Sequence, residues 1–338
     1  MLRCSLLTLL TLICVAAAQG QTDSTKVYRG TVGDKHVEMR LTVAGSKVTG
    51  TYFYDQFKQE IPLEGTYDSK MVLQLEEGAG KKKTGKFVCK AEPESLEVDV
   101  ECEWSRPDGK GQRLVFLNEQ GVRFKKDSKL VPKILNDRKT KASGSYPQLT
   151  AAVMTEGMRG FNQLVESKIQ AAVKEFGSYA EAGSVFDTNY DVMWANDQFI
   201  SIQFEEYVDA GGAHPNTRLW TINFNLETNK ELTIDDVFMP KSNYAAEIAK
   251  FAAKDISRRA DKLERDEAQR TNRQPEKRAD PFMSEDGLPE MDTWALTPKG
   301  FAVYFDFPHV MAVFDRTIVP YGMVARYLRP DGVVPLVR

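Results

Sequence analysis

Hydrophobic and polar positions alternate in short runs between residues 26 and 124. The runs are Lys26–Val32, His36–Val43, Lys47–Tyr54, Gln59–Tyr67, Met71–Leu75, Gly85–Lys90, Leu96–Trp104 and Arg113–Leu117. Period-two alternation broken by Gly, Asp, Ser and Pro predicts strands joined by tight turns. Turn signals stand at Gly33-Asp34, Gly45-Ser46, Asp68-Ser69 and Pro107-Asp108-Gly109. Consecutive strands with short connections predict an all-β, barrel-like meander. Gly50-Thr51-Tyr52 recurs as Gly65-Thr66-Tyr67, as if one strand-turn unit were used twice.

The pattern changes further along. Met158, Phe161, Val165, Ile169, Val173 and Phe176 form one helical stripe within Thr155–Phe176. Strand-like runs follow at Phe186–Trp194, Phe199–Phe204 and Leu219–Phe224. Trp220, Ile222 and Phe224 share one parity and should face the helices, leaving Thr221 and Asn223 on the other face. Thr228-Asn229 reverses the chain, and Thr233 or Asp235 can cap a short helical turn. A second helix is expected over about Asn243–Glu267, with Tyr244, Ile248, Phe251, Ala252 and Ile256 on its apolar side. Thr293–Leu296 and Gly300–Phe307 read as strands, and Pro320–Leu328 as a short closing helix. This mixture predicts an α+β domain with helices on one face of an antiparallel sheet.

Two segments lack apolar periodicity. Residues 125–145 read as a linker. Lys262–Arg278 is dense in alternating charge and reads as a solvated helix end followed by a disordered excursion. The expected organisation is a targeting segment over 1–20, an all-β domain over 26–124, a linker over 125–145 and an α+β domain over 146–338.

The targeting segment changes the setting of everything after it. Arg3 supplies the positive charge, Leu6–Val15 the apolar stretch, and Ala16-Ala17-Ala18-Gln19-Gly20 the small residues of a cleavage site. The mature chain should therefore be exported, to the periplasm or beyond, with no integral membrane segment. Of the 4 cysteines, Cys89 and Cys102 survive cleavage. One remaining pair in an exported chain, on two neighbouring strand-like runs, predicts a disulfide across a hairpin. Two cysteines without nearby histidines make a poor metal site, and no metal or cofactor is assigned. Lys and Arg number 45 against 48 Asp and Glu, with the signs interspersed. That balance gives no electrostatic case for nucleic acid.

Candidate chemistry centres on Tyr207-Val208-Asp209-Ala210-Gly211-Gly212-Ala213-His214-Pro215-Asn216, between two strand-like runs. His214 is one of 3 histidines. With Glu205, Glu206 and Asp209 nearby it has the makings of a general base. It lacks the further partners of a catalytic set, so a structural or binding role fits better. Tyr207, Asp209, His214 and Asn216 are the binding candidates, and no catalytic residue is assigned.

The second half resembles a known family of exported domains. The residues that carry the likeness are Tyr207, Gly211–Asn216, Trp220-Thr221-Ile222-Asn223-Phe224-Asn225 and Thr228-Asn229-Lys230-Glu231-Leu232. Asp235-Asp236-Val237-Phe238, Trp294-Ala295-Leu296-Thr297, Gly300–Phe305 and Val319-Pro320-Tyr321 follow in the same order. The order is similar to the extracytoplasmic domain of the lysozyme-sensing anti-sigma factor, and to modules found beside some polysaccharide deacetylases. The likeness spans roughly Tyr146 to Leu328. Phe307-Pro308-His309-Val310 and the Lys262–Asp292 excursion depart from it. Neither a sigma-binding region nor a deacetylase domain is recognised, so those roles are not carried over. The resemblance implies the fold and a tendency to bind a protein or cell-wall component.

Three functions are therefore in contention. One is an exported, non-enzymatic envelope protein that binds a protein such as lysozyme, or peptidoglycan. Another is a cell-wall or ester hydrolase using His214. The third is a small-ligand carrier that uses the mouth of the N-terminal barrel.

Overall fold

A computed structural model of the chain describes residues 24–68, 72–91, 99–125, 127–212, 214–277 and 280–334. The expected targeting segment lies outside them. Eight antiparallel strands close into a barrel. They are β1 (Ser24–Val32), β2 (Lys35–Ala44), β3 (Lys47–Tyr54), β4 (Ile61–Tyr67), β5 (Val72–Glu77), β6 (Gly85–Ala91), β7 (Val100–Ser105) and β8 (Arg113–Glu119). β8 returns to pair with β1, so neither edge is left open.

Inward side chains fill the barrel: Val37, Met39, Leu41, Tyr52, Phe87 and Leu117 are all buried. This packed interior removes the main support for a ligand carried in its mouth. The Gly-Thr-Tyr repeat has a packing cause. A Cβ on Gly50 would lie 1.9 Å from the Arg40 carbonyl oxygen, and one on Gly65 would lie 1.9 Å from that of Gln74. Each glycine lets a neighbouring strand come close. Cys89 and Cys102 face each other across β6 and β7 and form the disulfide.

The second half opens earlier than its hydrophobic pattern implied. Residues 129–136, inside the segment read as a linker, form β9 (Lys129–Asn136), and β10 (Ser143–Thr150) begins within it too. Pro132 and Lys133 interrupt the alternation that would have marked β9. These strands join β11 (Val185–Ala195), β12 (Phe199–Asp209), β13 (Asn216–Asn225) and β14 (Lys230–Glu231) in a six-stranded sheet of order β14-β13-β12-β11-β10-β9. All pairings are antiparallel except a short parallel contact between β10 and β11.

Helix α1 (Glu156–Tyr179) covers one face of this sheet. Thr155 caps it, with Oγ1 accepting the Met158 N–H at 3.2 Å. The stripe from Met158 to Phe176 is buried as its spacing predicts, and Phe161 meets Phe224 edge to face. Ile222 and Phe224 belong to that core, with Trp220 packed at its margin.

The opposite face carries a second sheet. It consists of β15 (Thr293–Leu296), β16 (Phe301–Tyr304) and β17 (Arg316–Val319). Asn223 and Thr221 both donate to the Trp294 carbonyl, at 2.8 and 2.7 Å. Helix α2 (Tyr244–Arg270) then covers the outer side of the small sheet through Ile248, Ala252 and Ile256. Each long helix thus covers one face of a largely antiparallel sheet.

Smaller elements complete the second half. Asp236 accepts from the Thr233 backbone and hydroxyl around a 3-10 turn, Ile234–Asp236. The charged stretch after α2 is not loose over 271–277. Arg273 donates twice to Glu264, which also accepts the Glu276 N–H. Pro320 leads into α3 (Tyr321–Val324). No helix among the described residues is long and apolar enough to cross a membrane.

Candidate functional site

The two halves meet through buried and half-buried polar contacts. Arg29 on β1 is 1% exposed. Its guanidinium donates to Asp55 at 2.7 Å and to the Tyr190 carbonyl at 3.2 Å, and lies 3.9 Å from the Tyr190 ring centre. Burial pushes the Asp55 pKa up, but the charge and hydrogen bonds of Arg29 and the Ser145 hydroxyl pull it below the usual carboxylate range. His36 on β2 meets Asp187 on β11 at 2.8 Å, and Asp187 also accepts from Ser143. Gln120, after β8, donates to Asp191 at 2.8 Å and accepts the Val192 N–H. These contacts fix the barrel wall against β11.

An open groove of about 1280 Å³ begins beside this junction. Asn118 of the barrel and Asp191 of β11 stand at one end. Gln203 and Glu205 on β12 line it, with His214 to Leu219 from the β12–β13 hairpin and β13. Residues 289–293 and 304–316 supply the remaining walls. The strand periods explain part of this. Glu205 alternates with Phe204 and Glu206, both buried on the α1 side.

Charge in the groove is lopsided. Asp191, Glu205, Glu290, Asp292, Asp306 and Asp315 line it, against Arg218 and Arg316. The Glu205 pKa is raised, first by burial and then by Asp191, with Asp315 and Asp187 adding to the effect. Groove water still reaches this side chain. We read the shift as crowding by walls and like charges, not as enclosure.

Of the four sequence candidates, the structure brings His214 and Asn216 to the groove. His214 is exposed, and its Nδ1 meets the Pro215 carbonyl at 3.1 Å. Asp209 accepts the Gly211 N–H at 3.0 Å, shaping the hairpin, and Tyr207 is 38% exposed nearby on β12. Glu206, considered beside His214, is buried and accepts from the Trp220 indole at 2.8 Å. Among the described residues no three His, Cys, Asp or Glu side chains are grouped to hold a metal ion. Glu205, named in the sequence only as a neighbour of His214, does share the groove with it, whereas Asp306 and Asp315 were missed and carry no local signal.

Comparison with known proteins places this arrangement. The model described as deacetylase PdaC matches residues 135–217, and the model for a protein of unknown function, DUF3298, matches residues 235–313. The second half carries both segments. The resemblance read from the sequence therefore stands. The peptidoglycan-N-acetylmuramic acid deacetylase PdaC of Bacillus subtilis (strain 168) is 24% identical over 130 residues, which is 38% of this chain. The match spans only 28% of that protein. Crystal structures of DUF3298 family proteins are also similar. The one from Pseudomonas aeruginosa PAO1 is 17% identical with a TM-score of 0.41, covering 60% of this chain and 94% of its own. The one from Bacteroides fragilis NCTC 9343 is 14% identical with a TM-score of 0.38, covering 62% and 94%.

Proposed function

We propose that this chain is an exported, non-enzymatic binding protein of the bacterial envelope that holds a cell-wall polymer in the acidic groove. One observation carries the reading: His214 and Asn216 sit exposed on the rim of a long open groove. A purely architectural histidine would be buried with its nitrogens on backbone carbonyls. The PdaC-type segment adds support, since the relative that shares it acts on peptidoglycan. The disulfide is in keeping with export.

A basic protein such as lysozyme is the second reading, favoured by the excess of carboxylates. Hydrolysis by His214 gains no comparable support, because the ring meets a carbonyl of its own turn.

Co-sedimentation with purified peptidoglycan sacculi tests the proposal. The wild-type chain should pellet with sacculi, and a Glu205→Arg, Asp306→Arg variant that remains folded should stay in the supernatant. A wild-type chain that stays in the supernatant, or a variant that pellets equally, overturns the polymer reading. His214→Ala should leave sacculi intact and unhydrolysed, as the wild type does.

A further inference from the structure

The six-stranded sheet ends differently on its two sides. On one side β9 is the outermost strand. It carries Pro132, which has no N–H to offer a further strand, and exposed Lys129 and Lys133. Proline and lysine are the usual defences of an open edge. On the other side, β14 pairs with only Phe224 and Asn225 of β13, and the Leu232 N–H adds a bond to the Asn223 carbonyl. Residues 216–222 of β13 have no strand on that side among the described residues, and they include neither Pro nor Lys.

The open edge presents hydrogen-bonding groups in a regular row. The register of β13 against β12 is unbroken from Asn216 to Asn225, so backbone groups alternate between the two sides. The Asn223 carbonyl, turned towards β14, sets the phase. Thr217, Leu219 and Thr221 therefore turn their N–H and C=O away from β12. Among the described residues no other backbone segment bonds these groups. Such a row is a template for the backbone of another chain.

The groove reaches this edge. Thr217 and Leu219 line it from one face of β13. Asn216 and Arg218 line it from the other, where Arg218 acts on Glu206. Lining by consecutive residues means that the groove runs over the edge as well as the face. The same groove holds exposed Glu290, Asp292 and Asp306, and Val310, which is 87% exposed.

We propose that the open edge of β13 takes an extended polypeptide segment of a partner protein as an added strand, with basic and apolar side chains turned into the groove. This goes beyond the cell-wall reading and does not rest on it. A glycan has no row of N–H and C=O groups at strand spacing. A second copy of this chain fits less well, because pairing two β13 edges brings two sets of the same carboxylates together.

Titration calorimetry with a capped Lys-Thr-Val-Thr-Lys-Thr-Val peptide tests this, beside an analogue with Glu in place of Lys and two N-methylated forms. One form is methylated at the Lys and Val nitrogens, the other at the Thr nitrogens. An added strand turns only alternate N–H groups towards β13, so one methylated form should bind at least about tenfold more weakly than the other. The Glu analogue should also bind at least about tenfold more weakly than the Lys peptide. Thr217→Pro removes an outward N–H but no bond to β12, and should weaken peptide binding about tenfold. Amide exchange by NMR on the wild-type chain supplies a readout that does not depend on this variant folding. Bound peptide should slow exchange at Thr217 and Leu219 and leave Arg218, already bonded to β12, as before. No binding of the Lys peptide, equal binding of the two methylated forms, or unchanged exchange at Thr217 and Leu219 at saturation overturns the inference. Equal binding of the Glu analogue overturns the assignment to a basic segment. Pelleting with sacculi reads the polymer proposal separately, and either result there leaves these outcomes as they stand.

Discussion

Replacing Arg29 by Met should be among the most damaging single substitutions in this chain. The guanidinium is 2% exposed and faces Asp55, also 2% exposed, at 2.7 Å, with Glu38 at 3.6 Å. At an effective dielectric constant of about 20, a unit pair at this separation attracts by roughly 6 kcal/mol before desolvation is charged against it. Met fills similar space but leaves two buried carboxylates. Glu38 keeps Arg40 at 2.6 Å, and Asp55 keeps only the Ser145 hydroxyl at 2.6 Å. Breaking a buried pair from one side costs about 3–5 kcal/mol. Urea unfolding at pH 7, followed by tryptophan fluorescence, should show that loss. Replacing Asp55 by Leu in the same chain should recover most of it.

The acid side gives an independent check on the same pair. The folded Asp55 pKa is lowered, so its contribution is present above the unfolded carboxylate value and fades as pH falls through the folded one. Arg29→Met should flatten that acid-side decline. A loss below about 1 kcal/mol, the range of exposed pairs, would refute the reasoning, because it would mean that water reaches the pair.

Three further outcomes follow from other contacts. Replacing Cys89 and Cys102 by Ser should cost about 3 kcal/mol, the loop-closure value for a sequence separation of 13, measured by thermal unfolding; an unchanged melting temperature contradicts it. Gly50→Ala should cost about 1–3 kcal/mol by pushing a Cβ towards the Arg40 carbonyl, whereas Gly45→Ala meets no atom within 4 Å and suffers only from its positive φ. Glu205→Gln should raise the melting temperature at pH 7. A raised folded pKa means stability is full below the unfolded value and lost as pH rises through the folded one. The gain should vanish at pH 3, and a gain that persists there points to packing instead of charge.

Much of the fold was legible because packing follows simple periods. The stripe from Met158 to Phe176 needed only its spacing to declare α1. Alternation located the barrel strands, and export chemistry located the disulfide. β9 was hidden because Pro132 and Lys133 break the pattern while Leu130 and Leu135 are still buried. The groove was hidden for a different reason. Its walls come from Asn118, Glu205 and Asp306, far apart in the chain, and no local pattern marks residues that meet only after two sheets stack. The hairpin with His214 was visible because Gly211, at φ 80°, and Asp209 announce a turn locally. Arg29 was hidden as well, since an arginine in a strand looks solvated until a second domain covers it.

Hydrogen exchange with and without soluble peptidoglycan fragments tests the central claim most directly. Bound fragments should protect amides in residues 214–219, 289–293 and 304–316 together. The outer barrel strands β5 to β7 should exchange as before. Protection confined to the barrel, or no protection at saturating fragment, would contradict a groove-centred account.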